Sequence, residues 1–126
     1  MGKGISVALR DRVWVRDKGR CFYCGLQLTK GHPDRTLDHV IPKSKGGANR
    51  MWNLVVSCRE CNADKEDRDP TAEELAIVST WKTWSERYVA LGKAIGRARA
   101  AGENDEAVIL IGLQAAIWRA LHGYVE

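Results

Sequence analysis

Two CxxC pairs decide how this chain folds: Cys21-Phe22-Tyr23-Cys24 and Cys58-Arg59-Glu60-Cys61. Together they supply four thiols, which is a complete ligand set for one tetrahedral zinc site. A site closed by four protein ligands is structural, so it fastens two distant segments of chain together. Asp38-His39 and Asn53 lie between the pairs, and Asn62 directly follows the last cysteine. The sequence therefore predicts a zinc-bound scaffold that carries a polar cluster.

The composition fits a small protein that a metal site helps to stabilise. A chain of 126 residues with 44% hydrophobic content buries only a modest core. No apolar run approaches the roughly 18 residues of a membrane span, and the first six residues lack the apolar stretch of a signal peptide. We therefore expect a cytoplasmic protein without a membrane partner, whose cysteines stay reduced and bind metal rather than form disulfides.

The positive charge is concentrated in the half that contains the cysteines. The whole chain carries a net charge of +4. Residues 1–68 contain 14 Lys and Arg against 8 Asp and Glu, whereas residues 69–126 contain 6 against 8. A basic surface beside a polar cluster indicates a polyanion partner, most simply nucleic acid, although an ordinary solvated surface is the alternative.

Periodicity and chain breakers predict a compact ββα unit after an N-terminal helix. The helix is expected from Ser6 to Lys18, with Arg10, Arg12 and Arg16 on a basic face. Short strands follow at residues 36–41 and 53–56, and a helix at residues 62–68. Residues 1–68 are thus expected to form one domain, and the fold class is α+β.

A helical hairpin is predicted for residues 69–126. Its first helix begins at Asp69-Pro70 or at a capping box formed by Thr71 and Glu74, and it ends near Gly102. The second runs from Asn104 to His122 and is stopped by Gly123. Apolar residues recur along both helices at spacings of three and four, and Trp81, Trp84 and Trp118 are expected in the hairpin core. The long apolar stripe predicts packing on the first domain, or a homodimer or other protein partner.

The polar cluster contains the groups that phosphodiester hydrolysis requires. A neutral imidazole is the natural base near pH 7. A hard divalent ion on one or two oxygen ligands stabilises charge on the phosphate. Neighbouring residues of a strand point to opposite faces, so Asp38 can bind metal while His39 faces the substrate. Asn62 can supply a second oxygen, and the Asn53 amide can hold the loop backbone.

At these residues the sequence resembles the HNH endonuclease family, in particular its ββα-metal members with a four-cysteine zinc. The likeness covers about residues 8–68, and it rests on the following motifs in order: Cys21-Phe22-Tyr23-Cys24-Gly25, Leu37-Asp38-His39-Val40-Ile41-Pro42, Asn53-Leu54-Val55 and Cys58-Arg59-Glu60-Cys61-Asn62. One position departs from the common pattern, because Asn62 stands where the family often has His.

The resemblance implies a role for each of these positions. His39 is the general base, Asp38 and Asn62 bind a catalytic ion, and Asn53 orders the loop. Asn in place of the final His favours Mg²⁺ or Mn²⁺ over softer metals. The family implies cleavage of DNA to 5′-phosphate and 3′-hydroxyl ends. It also implies a bacterial or phage setting, where some small members act beside the DNA-packaging machinery.

Several basic residues are candidates for contacts with double-stranded DNA, and each has a plain structural alternative. The nucleic-acid candidates are Arg16, Lys43, Lys45, Arg50 and Lys65. Any of them can equally be a surface charge, and Asn62 can equally be a helix cap. Trp52, next to Asn53, lies either near the substrate or in the core.

Two functions from different classes follow from the sequence. The first is a metal-dependent endonuclease of low sequence specificity that nicks or cuts double-stranded DNA. The second is a zinc-stabilised nucleic-acid binding or assembly module with weak or no nuclease activity, for example a phage DNA-packaging accessory. Plasmid nicking with Mg²⁺ or Mn²⁺ discriminates between them.

Overall fold

The computed structural model describes residues 4–121, and it begins with a helix that the sequence predicts within one residue at either end. Helix α1 spans Val7–Asp17. The hydroxyl of Ser6 caps its first turn by accepting from the backbone N–H of Leu9. Lys18 closes the helix in the left-handed region at φ 55° and donates its backbone N–H to the last turn.

A two-stranded antiparallel sheet and a short helix form the centre of the protein. Strand β1 spans Arg35–His39 and strand β2 spans Leu54–Cys58, with His39 opposite Leu54. Helix α2, Arg59–Lys65, follows β2 directly. The expected α+β class with a ββα core is confirmed.

Several boundaries of this core differ from the sequence prediction: β2 continues to Cys58 rather than ending at Val56, and α2 ends at Lys65 rather than Arg68. Strand β1 ends at His39 rather than Ile41, because the backbone N–H of Ile41 binds the Asn53 side chain instead of a strand partner. Helix α2 begins at Arg59 rather than Asn62, because the Cys58 sulfur caps it by accepting from the Cys61 backbone N–H. The second CxxC pair is therefore part of the helix.

Strand β2 is buried along its whole length and separates two small cores. Leu54 and Val56 pack on Val13 of α1. Val55, on the opposite face, packs on Val40 and on Val78 of the next helix. The alternation of a strand explains why consecutive residues enter different cores. Every residue of β2 is thus held from both sides.

Two longer helices complete the described chain. Helix α3 spans Ala72–Ala100 and helix α4 spans Asn104–Leu121. Of the two predicted starts of α3, the capping box of Thr71 and Glu74 is present. The predicted end of α4 at His122 and Gly123 lies outside the described residues. Within residues 4–121, neither helix is long and apolar enough to span a membrane.

The hairpin tryptophans do not share one core. Trp81 packs on the core of Val40 and Val55, where it lies 6.0 Å from the ring centroid of Phe22. Trp118, in contrast, is 40% exposed on α4, so its expected place in the hairpin core is wrong. Helix α3 therefore packs on the ββα unit through its first half and on α4 through the remainder.

Candidate active site and metal centre

The four cysteines converge on one point. Cys21, Cys24, Cys58 and Cys61 offer sulfur atoms that all lie within 4.8 Å of one another. Four sulfurs at about 2.3 Å from a tetrahedral zinc would lie about 3.8 Å apart. The sulfurs of Cys24 and Cys58 are separated by 3.8 Å. The donor set and its spacing therefore fit a closed, structural metal site.

Backbone turns place the first cysteine pair. The backbone N–H of Gly25 donates to the carbonyl of Cys21, and Gly25 adopts φ 79°, where a side chain would be strained. The backbone N–H of Phe22 donates to the carbonyl of Val56 on β2. This bond holds the first cysteine turn against β2, the strand that ends at Cys58.

The thiols of the cluster have unlike acidities. Burial acts to raise the pKa of Cys21, but hydrogen bonds from the backbone of Cys58, Cys24 and Tyr23 outweigh it and lower this pKa to about 6. Burial raises the pKa of the Cys61 thiol, and hydrogen bonds to the other three sulfurs add to the rise. Backbone dipoles thus favour a thiolate at one member of the set.

At the end of β1, consecutive residues face different surroundings. Asp38 is buried, whereas His39 is partly exposed. The Asp38 carboxylate points toward α2, where its Oδ2 atom lies 3.1 Å from the Lys65 ammonium. The same oxygen accepts a short hydrogen bond from the Tyr23 hydroxyl. Asp38 is therefore held by two donors, from the first cysteine turn and from α2.

Burial and Asp38 act on Tyr23 in the same direction. Burial raises the pKa of Tyr23, and its hydrogen bond and proximity to the Asp38 carboxylate raise it further. The phenol consequently stays protonated and remains a donor. The Tyr23 hydroxyl and the Lys65 ammonium both approach Oδ2 of the Asp38 carboxylate.

His39 is oriented by the loop between the two strands. Its Nε2 atom lies 2.6 Å from Oδ1 of Asn49. Asn53 holds the same loop from within: its amide nitrogen donates to the carbonyls of Ile41 and Ala48, and its Oδ1 accepts from the Ile41 backbone N–H. The side chain of Asn53 is 0% exposed. The side-chain amide of Asn53 therefore holds the loop, and the side-chain amide of Asn49 orients the imidazole of His39.

Asn62 lies on the face of α2 that packs on β1. Its amide nitrogen donates to the hydroxyl of Thr36 at 3.2 Å. Thr36 and Asp38 are two residues apart on one strand, so they share a face. The amide oxygen of Asn62 and Oδ1 of Asp38 are hard donors, which suit Mg²⁺ or Mn²⁺ better than a soft metal. The chemistry of this pair fits a weakly held divalent ion.

Two residues predicted to contact DNA are used inside the protein. Arg16 is buried; its guanidinium donates to the carbonyls of Met51 and Leu54, pairs with Asp17 and lies 3.9 Å from the ring centroid of Trp81. This placement corrects the expected phosphate contact, because all three guanidinium nitrogens donate to partners inside the protein.

Lys65 requires the same correction. Its side chain is 2% exposed, and its ammonium binds both Asp38 and the carbonyl of His39. The ammonium therefore holds Asp38 and the backbone of His39 inside the protein and does not contact a phosphate at the surface. Lys43, Lys45 and Arg50 are exposed, and Lys45 pairs with Asp69 at 2.9 Å. These three remain predicted phosphate contacts.

Two residues of the site were not singled out from the sequence. Tyr23 is one of the two residues between the cysteines of a CxxC pair, and Asn49 is a polar residue of the loop after Gly46-Gly47. Neither position suggests a functional role by itself. Their roles depend on partners 15 and 10 residues away, respectively. The one available signal was that a strand-end Asp and His require donors and acceptors from neighbouring loops.

Comparison with known proteins gives two matches. Residues 21–74 match the family model described as HNH endonuclease. The type IV methyl-directed restriction enzyme EcoKMcrA of Escherichia coli strain K12 is 34% identical to this chain over 77 residues. The aligned part covers 49% of this chain and 28% of that enzyme, so the likeness concerns one segment of a longer protein. No solved structure matches this chain.

Proposed function

We propose that this chain, whose residues 21–74 match the HNH endonuclease family, is a metal-dependent endonuclease that hydrolyses phosphodiester bonds of double-stranded DNA. The observation that carries the proposal is the arrangement at the end of β1. Asp38 is buried toward α2 and His39 is partly exposed toward the loop. One strand end thus carries the proposed metal ligand and the proposed base on opposite faces.

The contact with Asn49 supports the choice of Nδ1 as the proposed base. Because the Asn49 oxygen can only accept, Nε2 of His39 must carry the hydrogen and donate. Nδ1 then holds the lone pair and takes a proton from water as that water attacks phosphorus. The bond between phosphorus and O3′ breaks, and O3′ takes up a proton from solvent. The products are a 5′-phosphate and a 3′-hydroxyl end.

Asp38 and Asn62 are the proposed ligands of the catalytic Mg²⁺ or Mn²⁺. When bound, the ion supplies positive charge for the phosphate oxygens and the departing O3′. The protein's own part is orientation: Tyr23 and Lys65 fix one oxygen of Asp38, and Thr36 fixes the amide of Asn62. Asn53 keeps the loop in place, and with it Asn49 and the imidazole.

Zinc is the proposed occupant of the four-cysteine site, with no part in the reaction. The first cysteine pair carries Tyr23, and the second begins α2, which carries Asn62 and Lys65. A zinc ion bound by both pairs would therefore fix the distance between Tyr23, on one side of Asp38, and Asn62 and Lys65, on the other. We assign residues 1–68 to the nuclease domain and residues 69–126 to a helical extension.

Plasmid nicking tests the proposed activity. Supercoiled plasmid is incubated with Mg²⁺ or Mn²⁺ and with wild type or His39→Ala, and plasmid binding is measured in parallel. The wild type is expected to nick, and His39→Ala to lose at least about 100-fold in rate, since general-base catalysis contributes about 10²–10⁴-fold. If both proteins bind plasmid and neither nicks it, the nuclease proposal fails.

The alternative is a zinc-stabilised nucleic-acid binding or assembly module. The contact of Asp38 with Lys65 favours it, because an ammonium already neutralises the carboxylate that the catalytic ion requires. The wild type would then bind plasmid without nicking it at any concentration of Mg²⁺ or Mn²⁺. The same experiment therefore separates the two functions.

The helical extension is proposed to bind a protein partner, most simply a second copy of the chain. Large apolar side chains remain exposed on both helices; they are Leu75, Ile77, Val89, Val108, Ile109, Ile111, Leu113 and Trp118. Sedimentation equilibrium tests the homodimer: a monomer at micromolar concentration contradicts it. Val108→Glu is expected to shift a dimer toward monomer, because the change places a carboxylate within the exposed apolar surface of α4.

A further inference from the structure

An open groove of about 700 Å³ runs beside the proposed active site, between α1, the loop before β2 and α3. We propose that this groove binds the backbone of a DNA strand next to the cleaved phosphate, and that α3 thereby contributes to substrate binding. The inference rests on the proposed nuclease function. It assigns a role to a helix whose region, residues 69–126, carries no net positive charge.

Three cations from three different elements meet in the groove. Arg12 comes from α1, Arg50 from the loop and Lys93 from α3. All three are exposed, and within residues 4–121 none forms an ion pair. Some other surface cations are neutralised: Lys30 pairs with Asp11 and Lys45 with Asp69. Unpaired cations that converge on one groove attract a polyanion.

The groove is connected to the candidate base. Asn49 lines it and contacts His39 at 2.6 Å. A strand that passes the imidazole can therefore continue along the loop to α3 without leaving the protein. Trp52 forms part of the wall, and Lys82 of α3 lies 5.2 Å from its ring centroid. The tryptophan face is thus covered by a cation, which suits phosphate contact better than base stacking.

One acidic residue lies among these cations and predicts an effect of opposite sign. Glu86 of α3 lines the groove, is exposed and has no ion-pair partner within residues 4–121. A phosphate near Lys93 would be repelled by this carboxylate. Removing the charge at residue 86 should therefore strengthen binding, whereas removing the charge at residue 93 should weaken it.

The test is fluorescence anisotropy of a labelled DNA duplex, with every variant built on His39→Ala so that cleavage does not interfere. Lys93→Gln is expected to raise Kd about five-fold and to reduce the salt slope of log K by about 0.9, as expected for one lost phosphate contact. Glu86→Gln is expected to lower Kd about two-fold. Arg87→Gln is the matched control, because Arg87 lies on α3 but stacks on Trp84 outside the groove.

Equal effects of Lys93→Gln and Arg87→Gln overturn the inference, because they would show a diffuse charge effect. An equal Kd for an RNA duplex of the same sequence overturns the assignment to DNA. Binding that depends on Lys93 supports the groove even if the wild type proves unable to nick. If the wild type nicks plasmid but Lys93→Gln leaves the Kd unchanged, the nuclease function is supported and the proposed role of the groove is contradicted.

Discussion

The cysteine-bearing region and the helical hairpin are stabilised in opposite ways. Among residues 4–121, the buried polar or charged residues all lie in the first region; they are Arg16, Asp38, Asn53, Ser57 and Lys65. The buried residues of α3 and α4 are all apolar. Of the eleven large exposed hydrophobic side chains in the part of the chain that the structure describes, eight lie on these helices. Buried polar groups require specific partners, so they fix one geometry. The first region is thus suited to a catalytic site and the second to an interface.

Removal of metal is expected to have the largest effect and to separate the two regions. A chelator should remove the proposed zinc, and because its binding free energy is folding free energy, the melting temperature should fall by more than about 10 °C. Helices α3 and α4 contain 29 and 18 residues against 11 and 7 in α1 and α2. Most of the circular dichroism at 222 nm should therefore remain.

Zinc added back in excess should restore the melting temperature, and calcium should not. Loss of the entire helical signal after chelation would contradict the comparison. It would show that the hairpin depends on the contacts of Val78 and Trp81 with the ββα unit.

Arg16→Ala tests the importance of a buried polar residue in the first region. The change leaves the carbonyls of Met51 and Leu54 without their donor and removes the stacking on Trp81. We expect the free energy of unfolding to fall by about 3 kcal/mol, measured by urea denaturation. Arg10→Ala, an exposed change on the same helix, should stay within about 0.5 kcal/mol of wild type. Equal effects of Arg16→Ala and Arg10→Ala would mean that the buried contacts of Arg16 do not stabilise the fold.

Glu74→Gln probes the start of the hairpin and should have the smallest effect. Hydrogen bonds from Arg68 hold the pKa of Glu74 below its ordinary value of 4.5, although burial opposes them. A lowered pKa in the folded state stabilises the protein above pH 4.5, and the contribution is lost as the pH falls through the folded value. The substitution should cost about 0.5 kcal/mol at pH 7, because partial exposure of Arg68 screens the pair. The cost should be smaller at pH 3, where more of the Glu74 carboxylate is protonated.

Urea denaturation at both pH values checks this prediction. Thr71→Ala, which removes the other half of the capping box, should cost a similar amount at both pH values, because a hydroxyl does not titrate. A cost of Glu74→Gln that is the same at pH 3 and pH 7 would contradict the assigned charge effect.

The sequence predicted the parts of the site that depend on spacing. Two CxxC pairs predict that their four sulfur atoms lie together at one metal site. The alternation of a strand predicts that the side chains of Asp38 and His39 point to opposite faces. It misplaced Arg16 and Lys65, because a charge count cannot tell a surface cation from one whose partners lie far along the chain. The carbonyls that bind Arg16 are 35 and 38 residues away. Whether a cation is buried is decided by packing, which periodicity does not record.

The start of α2 was missed for a related reason. Asn62 is a good helix cap by type, and Cys58 is not. The cysteine acts as the cap because the fold places its sulfur at the cluster and at the helix start together. Thr71 and Glu74 were correctly proposed as one of two caps for α3, because a capping box is complete within four residues of sequence.

The central claim is that the cysteine site builds the scaffold while Asp38 and His39 perform the reaction. The most direct test measures bound zinc and plasmid nicking together in a variant that disables Asp38. Asp38→Ala alone would leave the Lys65 ammonium buried without its partner, at a cost of several kcal/mol. The double variant Asp38→Asn/Lys65→Met removes both charges. We expect it to retain one zinc per chain and to lose nicking in Mg²⁺ and Mn²⁺; loss of zinc together with activity, or nicking at the wild-type rate, would contradict the account.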